Sequence, residues 1–209
     1  MTTLICKNSV VYSDTRITVK RNGKFVRHYD ECKADVANFP VFLTDKVYNV
    51  VKVVSAGNVN DINRAIKRLE CGYSSEFHSN SNFVLYCITE CDKVIKIDQR
   101  NKPKLIKYGW AGSGPARNPV TIAATFISPK LAMVCSSMVD KGTGGMIECH
   151  SANDCKVVGT CKDGLLCLPA LLLNLFGNAA VVTALLPFMP LALLVMVKKI
   201  MKTVKGILK

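Results

Sequence analysis

Met1-Thr2-Thr3-Leu4-Ile5-Cys6-Lys7-Asn8-Ser9-Val10-Val11-Tyr12-Ser13-Asp14-Thr15-Arg16 opens the chain, and the rest is organised around it. Residues 3–6 and 10–14 read as two short strands, rich in residues that suit a pleated surface and joined by a tight turn at Lys7-Asn8-Ser9. Removal of Met1 makes Thr2 an N-terminal threonine at the head of a buried strand. Such a residue carries its own nucleophile and its own base: the hydroxyl, and an α-amine with a pKa of about 8. Threonine is small enough for the initiator to be removed, so the mature chain is expected to begin at Thr2. A Thr-Thr pair after an initiator is commonplace, so the rest of the chain has to decide its meaning.

Downstream, Asn22-Gly23 marks a hairpin turn between Ile17-Thr18-Val19 and Phe25-Val26. Strands are expected at 40–44 and 47–54, the second ending at Ser55-Ala56-Gly57-Asn58. A helix follows, capped by Asn60-Asp61, with Ile62, Ala65, Ile66 and Leu69 at helical spacing and Arg64, Lys67 and Arg68 opposite. Further strands are expected at 83–89, 93–98 and 104–110, the last leading into Gly112-Ser113-Gly114. Two helices fill Pro119 to Met138, divided near Pro129. After Asp140-Lys141-Gly142-Thr143-Gly144-Gly145, strands return at 146–150 and 156–160. This order of strands and helices predicts two sheets between helical layers.

Five pieces in this order resemble the proteasome β-subunit family and the related bacterial threonine proteases. They are Thr2-Thr3, Asp14-Thr15-Arg16-Ile17-Thr18, Lys33, Ser55-Ala56-Gly57, and the two glycine-rich segments Gly112-Ser113-Gly114 and Asp140 to Gly145. The resemblance covers about residues 2–150. It implies an α+β fold, the four-layer αββα sandwich of the N-terminal nucleophile hydrolases, and a threonine peptidase without metal or other cofactor.

The same resemblance implies roles for individual residues. Thr2 attacks a carbonyl carbon and forms an acyl-enzyme that water resolves. Lys33 holds a positive charge beside it, and Asp14 pairs with Lys33. The Gly57 N–H points at the oxyanion. Ser113, Asp140 and Thr143 surround the Thr2 amine. Thr18 and Asn58 pair with an extended substrate, and Ser55 and Val59 line the pocket before the cut. It also implies a peptide or protein substrate, oligomers with ring packing, and an ATPase unfoldase as partner. The family's serine is here Thr143, and the first hairpin is shorter than the family's.

The net charge is +13. Residues 164–209 hold five lysines and no acid, so residues 1–163 contribute +8. A +8 domain suits an anionic surface, but no motif specific for nucleic acid accompanies the charge. The ten cysteines form no CxxC, and Cys149, Cys155 and Cys161 are six apart beside His150. Zinc is weakly signalled by that spacing. Scattered reduced thiols, packed as small apolar side chains in a reducing cytoplasm, are the expectation.

The chain divides at 163 into that domain and an appendage. Residues 165–197 are 33 positions without a charge, more than the roughly 20 that span a bilayer. Pro169, Asn174, Gly177, Asn178, Pro187 and Pro190 interrupt them, and a basic amphipathic end follows. A hydrophobic helical segment is expected. Three arrangements remain open: one span near 179–197, a membrane-inserted hairpin turning at 174–178, and a helix pair buried against a partner. The expected location is the cytoplasmic side of a membrane, or a virion if the protein is viral. Three functional readings follow. One is a membrane-associated threonine peptidase. Another is an inactive fold of the same type with a structural or membrane-penetrating role, as in a virion. The third is an amidase that applies the same chemistry to a small molecule.

Overall fold

Two adjacent residues that tolerate left-handed backbone start the fold. Asn8 and Ser9 take φ of 54° and 65°, and this turn matches the twist of the strands it joins. They connect β1 (Thr3–Lys7) and β2 (Val10–Asp14). Asn22-Gly23 separates β3 (Arg16–Arg21) from β4 (Lys24–Asp30). β5 (Ala34–Leu43) and β6 (Lys46–Gly57) form a longer hairpin than the sequence suggests. Then come helix α1 (Val59–Glu70) and strands β7 (Phe83–Thr89), β8 (Val94–Asp98), β9 (Lys104–Ile106) and β10 (Tyr108–Gly112). Helices α2 (Pro119–Ile127) and α3 (Pro129–Val139) precede β11 (Gly145–Cys149) and β12 (Cys155–Thr160). This computed structural model describes residues 3–21, 24–72, 77, 82–112, 119–139, 145–160, 172 and 176.

All strand pairings among these residues are antiparallel. One five-stranded sheet has the order β10-β1-β2-β11-β12 and the other β5-β6-β7-β8-β9, while β3 and β4 pair only with each other. Leu4, Cys6, Val11 and Ile147 of the first sheet share a buried cluster with Val54, Ala56, Tyr86 and Ile88 of the second. Ile62, Ala65 and Leu69 of α1 pack on Phe39, Val50, Leu85 and Ile95. Ala124, Leu131, Ala132 and Cys135 of α2 and α3 pack on Ile5 and Met146. Each such Leu, Ile, Val or Phe contributes about 1.5–3 kcal/mol on burial.

The expected αββα sandwich is corrected by this architecture, which is mostly antiparallel sheet with three short helices among the described residues. A helix about 10 Å wide covers less than half of five strands spaced about 4.8 Å apart. Among the described residues α1 stands alone on its sheet, so it does not make a helical layer there. α2 and α3 have only nine and eleven residues.

The thiol expectation is also corrected in part. The antiparallel register sets Cys149 opposite Cys155, and the two form a disulfide. Cys6, Cys87 and Cys135 are buried free thiols, while Cys32, Cys71 and Cys91 are free and exposed. No group of three metal-binding side chains occurs among the described residues. The tail expected at 164–209 lies outside the described residues except for positions 172 and 176. Among the described residues no helix is long and apolar enough to cross a membrane.

Candidate functional site

The candidate site gathers at the head of β1. Asp14 ends β2 and is fully buried. Its Oδ1 accepts the Thr3 backbone N–H at 2.7 Å, and its Oδ2 accepts the Arg16 backbone N–H at 3.1 Å. The Lys33 ammonium donates to the same Oδ2 at 2.8 Å, from a side chain only 7% exposed. Lys33 immediately precedes β5. Burial pulls its pKa below the ordinary lysine range, and the Asp14 carboxylate opposes that shift.

A second layer of polar side chains fixes the same strand ends. The Thr3 and Ser136 hydroxyls share a hydrogen bond of 2.7 Å in the buried space between β1 and α3. Thr15 Oγ1 donates to Asp30 Oδ1 at 3.0 Å and accepts the Gly145 N–H at 2.6 Å. The Thr15 N–H donates to the Gly145 carbonyl at 3.1 Å. Arg16 closes an ion pair with Asp30 at 2.9 Å.

The sequence candidates divide into three groups. Asp14 and Lys33 are brought into direct contact. Thr2, Ser113, Asp140 and Thr143 lie outside the described residues. Thr3 follows Thr2, Gly112 precedes Ser113 and sits opposite Thr3 in the ladder, and Gly145 is bonded to Thr15.

The third group lies along the end of β6 and the start of α1. Gly57 has φ of +133°, and a Cβ there would come within 2.3 Å of the Asn82 carbonyl oxygen. Crowding by the neighbouring backbone therefore explains this glycine without a substrate. Ser55 is buried and paired with Leu85, and Val59 is half-exposed at the first turn of α1. Thr18 stands opposite His28 in β3–β4.

Asn58 has a structural task that the sequence reading assigned to its neighbours. Its side chain is the N-cap of α1, accepting from the Asn60 N–H at 2.9 Å, so Asn60-Asp61 lie inside the helix rather than capping it. Its own N–H donates to the Asn82 carbonyl at 2.7 Å, and its carbonyl accepts from Ile62. Both backbone groups therefore help to fix the junction between β6 and α1.

Thr3, Thr15 and Ser136 were not among the sequence candidates. Position opposite Asp14 in a hairpin was a usable signal for Thr3. A serine inside a helical run offers none for Ser136. The buried thiols are spectators: burial pushes Cys6 up to about 12 and Cys135 up to about 11, and raises Cys87 as well.

No protein-family model matches the chain, and no curated protein matches it. Among solved structures it is similar to a mutant of Anbu from Hyphomicrobium sp. strain MC1. The likeness has 12% identity and a TM-score of 0.46, over 88% of this chain and 96% of that one. A likeness this distant carries no argument about family or activity. The resemblance to the proteasome β-subunit family is therefore corrected: short motifs carried it, and no family match supports them.

Proposed function

We propose that the chain hydrolyses amide bonds with Thr2 as an N-terminal nucleophile, after removal of Met1. The observation that carries this reading is the buried Asp14–Lys33 pair, with Asp14 also gripping the N–H of Thr3, the next residue after Thr2 in the sequence. A buried ion pair is poor value for stability, because desolvation offsets its attraction. A perturbed buried lysine with a specific carboxylate partner marks a candidate functional site.

In this scheme the Thr2 amine takes the proton from the Thr2 hydroxyl as the oxygen attacks the carbonyl carbon. The Lys33 charge favours the developing alkoxide and lowers the proton affinity of the amine. Asp14 holds Lys33 in place. The Gly57 N–H stabilises the oxyanion, an effect of roughly 3 kcal/mol for such a donor. The amine then returns its proton to the leaving nitrogen as the C–N bond breaks, and water resolves the ester. Ser113, Asp140 and Thr143 support the amine. The uncharged run at 165–197 and its basic end hold the protein at a membrane.

The test combines intact mass with turnover of a peptide and small-amide panel. Wild-type protein lacking Met1 cleaves at least one substrate, and Thr2→Ala abolishes cleavage. Retention of Met1, or unchanged turnover in Thr2→Ala, refutes the scheme.

A second reading, an inactive fold with a structural or membrane-penetrating role, is favoured by Asn58. Its N–H is already given to the Asn82 carbonyl, so one donor expected to hold a peptide is engaged within the fold. On that reading Thr2→Ala floats with membranes as wild type does, and neither protein hydrolyses any substrate.

A further inference from the structure

The buried polar exceptions of β1 and α3 meet each other. Leu4, Ile5 and Cys6 fill β1 with buried apolar side chains, and Thr3 is the polar residue beside them. In α3, Leu131, Ala132, Met133, Val134 and Cys135 are buried and apolar, and Ser136 follows as a buried polar residue. Thr3 and Ser136 are both wholly buried, and their hydroxyls share the 2.7 Å hydrogen bond. Valine and alanine would fill nearly the same space without hiding two hydroxyls from water, which costs free energy that one bond only offsets. A hydrogen bond differs from an apolar contact in having a direction. With the stiff χ1 of threonine, it fixes how Thr3 is turned.

Asp14 holds Thr3 from a second side. Oδ1 of that carboxylate accepts the Thr3 N–H, and Oδ2 accepts the Lys33 ammonium. Ser136, Thr3, Asp14 and Lys33 thus form one chain of bonds through buried groups. Its middle link is the N–H of the peptide bond that joins Thr3 to Thr2. α3 ends at Val139, the residue before Asp140 in the sequence. The Ser136 bond therefore ties the helix that precedes Asp140 to the strand that follows Thr2.

We propose that Ser136 is a positioning residue for the nucleophile. Through the Thr3 hydroxyl it holds the Thr2–Thr3 peptide bond against Asp14, and so sets the Thr2 hydroxyl relative to the Lys33 ammonium. Ser136 touches no substrate and moves no proton. This role presupposes the hydrolysis proposed above.

The test is steady-state turnover of one cleaved substrate, run beside Thr2→Ala, with urea unfolding and hydrogen exchange of the Thr3 amide on the same proteins. Misplacing a reacting group by about 1 Å costs up to about 100-fold in rate. Ser136→Ala lowers kcat about tenfold and leaves KM within about twofold. Thr3→Val, which keeps the shape and loses the bond, does the same, while Thr3→Ser keeps the hydroxyl and most of the turnover. Thr3→Val/Ser136→Ala recovers stability but not kcat. A purely structural pair would recover both, so a return of kcat with stability overturns the proposal. Unchanged kcat in folded Ser136→Ala does so as well. Turnover that survives Thr2→Ala, or no turnover in wild type lacking Met1, refutes the hydrolytic reading instead. Hydrogen exchange then decides the hold of Ser136 on Thr3: the Thr3 amide exchanges about tenfold faster in Ser136→Ala, and equal protection overturns it.

Discussion

Replacing Lys33 with methionine tests the pair at the centre of the site. Methionine keeps an unbranched stem of similar length, so packing changes little. The Asp14 carboxylate then loses its cation while remaining fully buried. Removing one member of a buried pair costs about 3–5 kcal/mol. The Thr3 and Arg16 N–H groups still donate to Asp14, which places Lys33→Met near the lower end, about 3 kcal/mol. For a chain of this size that lowers Tm by about 6–12 °C. Stability also depends on pH through the same group. Burial lowers the folded pKa of Lys33 below its ordinary 10.5. Between the two values the unfolded chain binds more protons, so stability rises with pH toward 10.5, by at most about 1.4 kcal/mol per pH unit. Urea unfolding of wild type and Lys33→Met at several alkaline pH values measures both effects, and the variant lacks that rise. A loss below about 1 kcal/mol, with the slope unchanged, would refute the buried pair.

Gly57→Ala meets the Asn82 carbonyl at 2.3 Å at an unfavourable φ, so thermal melts show a loss of about 2–4 kcal/mol. Asn58→Ala removes the α1 cap and costs about 1 kcal/mol, while Asn58→Ser restores most of it. Thr3→Val strands the buried Ser136 hydroxyl, a loss of about 1–3 kcal/mol that Thr3→Val/Ser136→Ala reduces in denaturant unfolding. Reduction of Cys149–Cys155, which are six apart in sequence, costs about 2 kcal/mol, read as a shifted urea midpoint after reductant.

Local periodicity carried most of the element order. Asn22-Gly23, the β-branched run through Val54 and the helical stripe of Ile62, Ala65 and Leu69 each announce their element, and each is present. The layers were less legible. Helix spacing shows that a segment coils but not how much of a sheet it covers. Asn58, Asn60 and Asp61 are all good caps, so composition alone misplaced the cap by two residues. The Cys149–Cys155 bond depends on the β11–β12 register, which a spacing of six does not reveal. In the site, the pairing of Asp14 with Lys33 was implied only by the resemblance, since nothing local joins residues 19 apart, and the fold brings them to 2.8 Å. Asn58 illustrates the opposite case. Its capping of α1 through the Asn60 N–H shows only in three dimensions, and no motif announces it.

The most direct measurement is trapping with an electrophile directed at N-terminal threonine, followed by peptide mass mapping. The proposed chemistry predicts one adduct, on Thr2, in protein that has lost Met1, and none in Thr2→Ala. An adduct at another residue, or no adduct on chains that begin at Thr2, would contradict it.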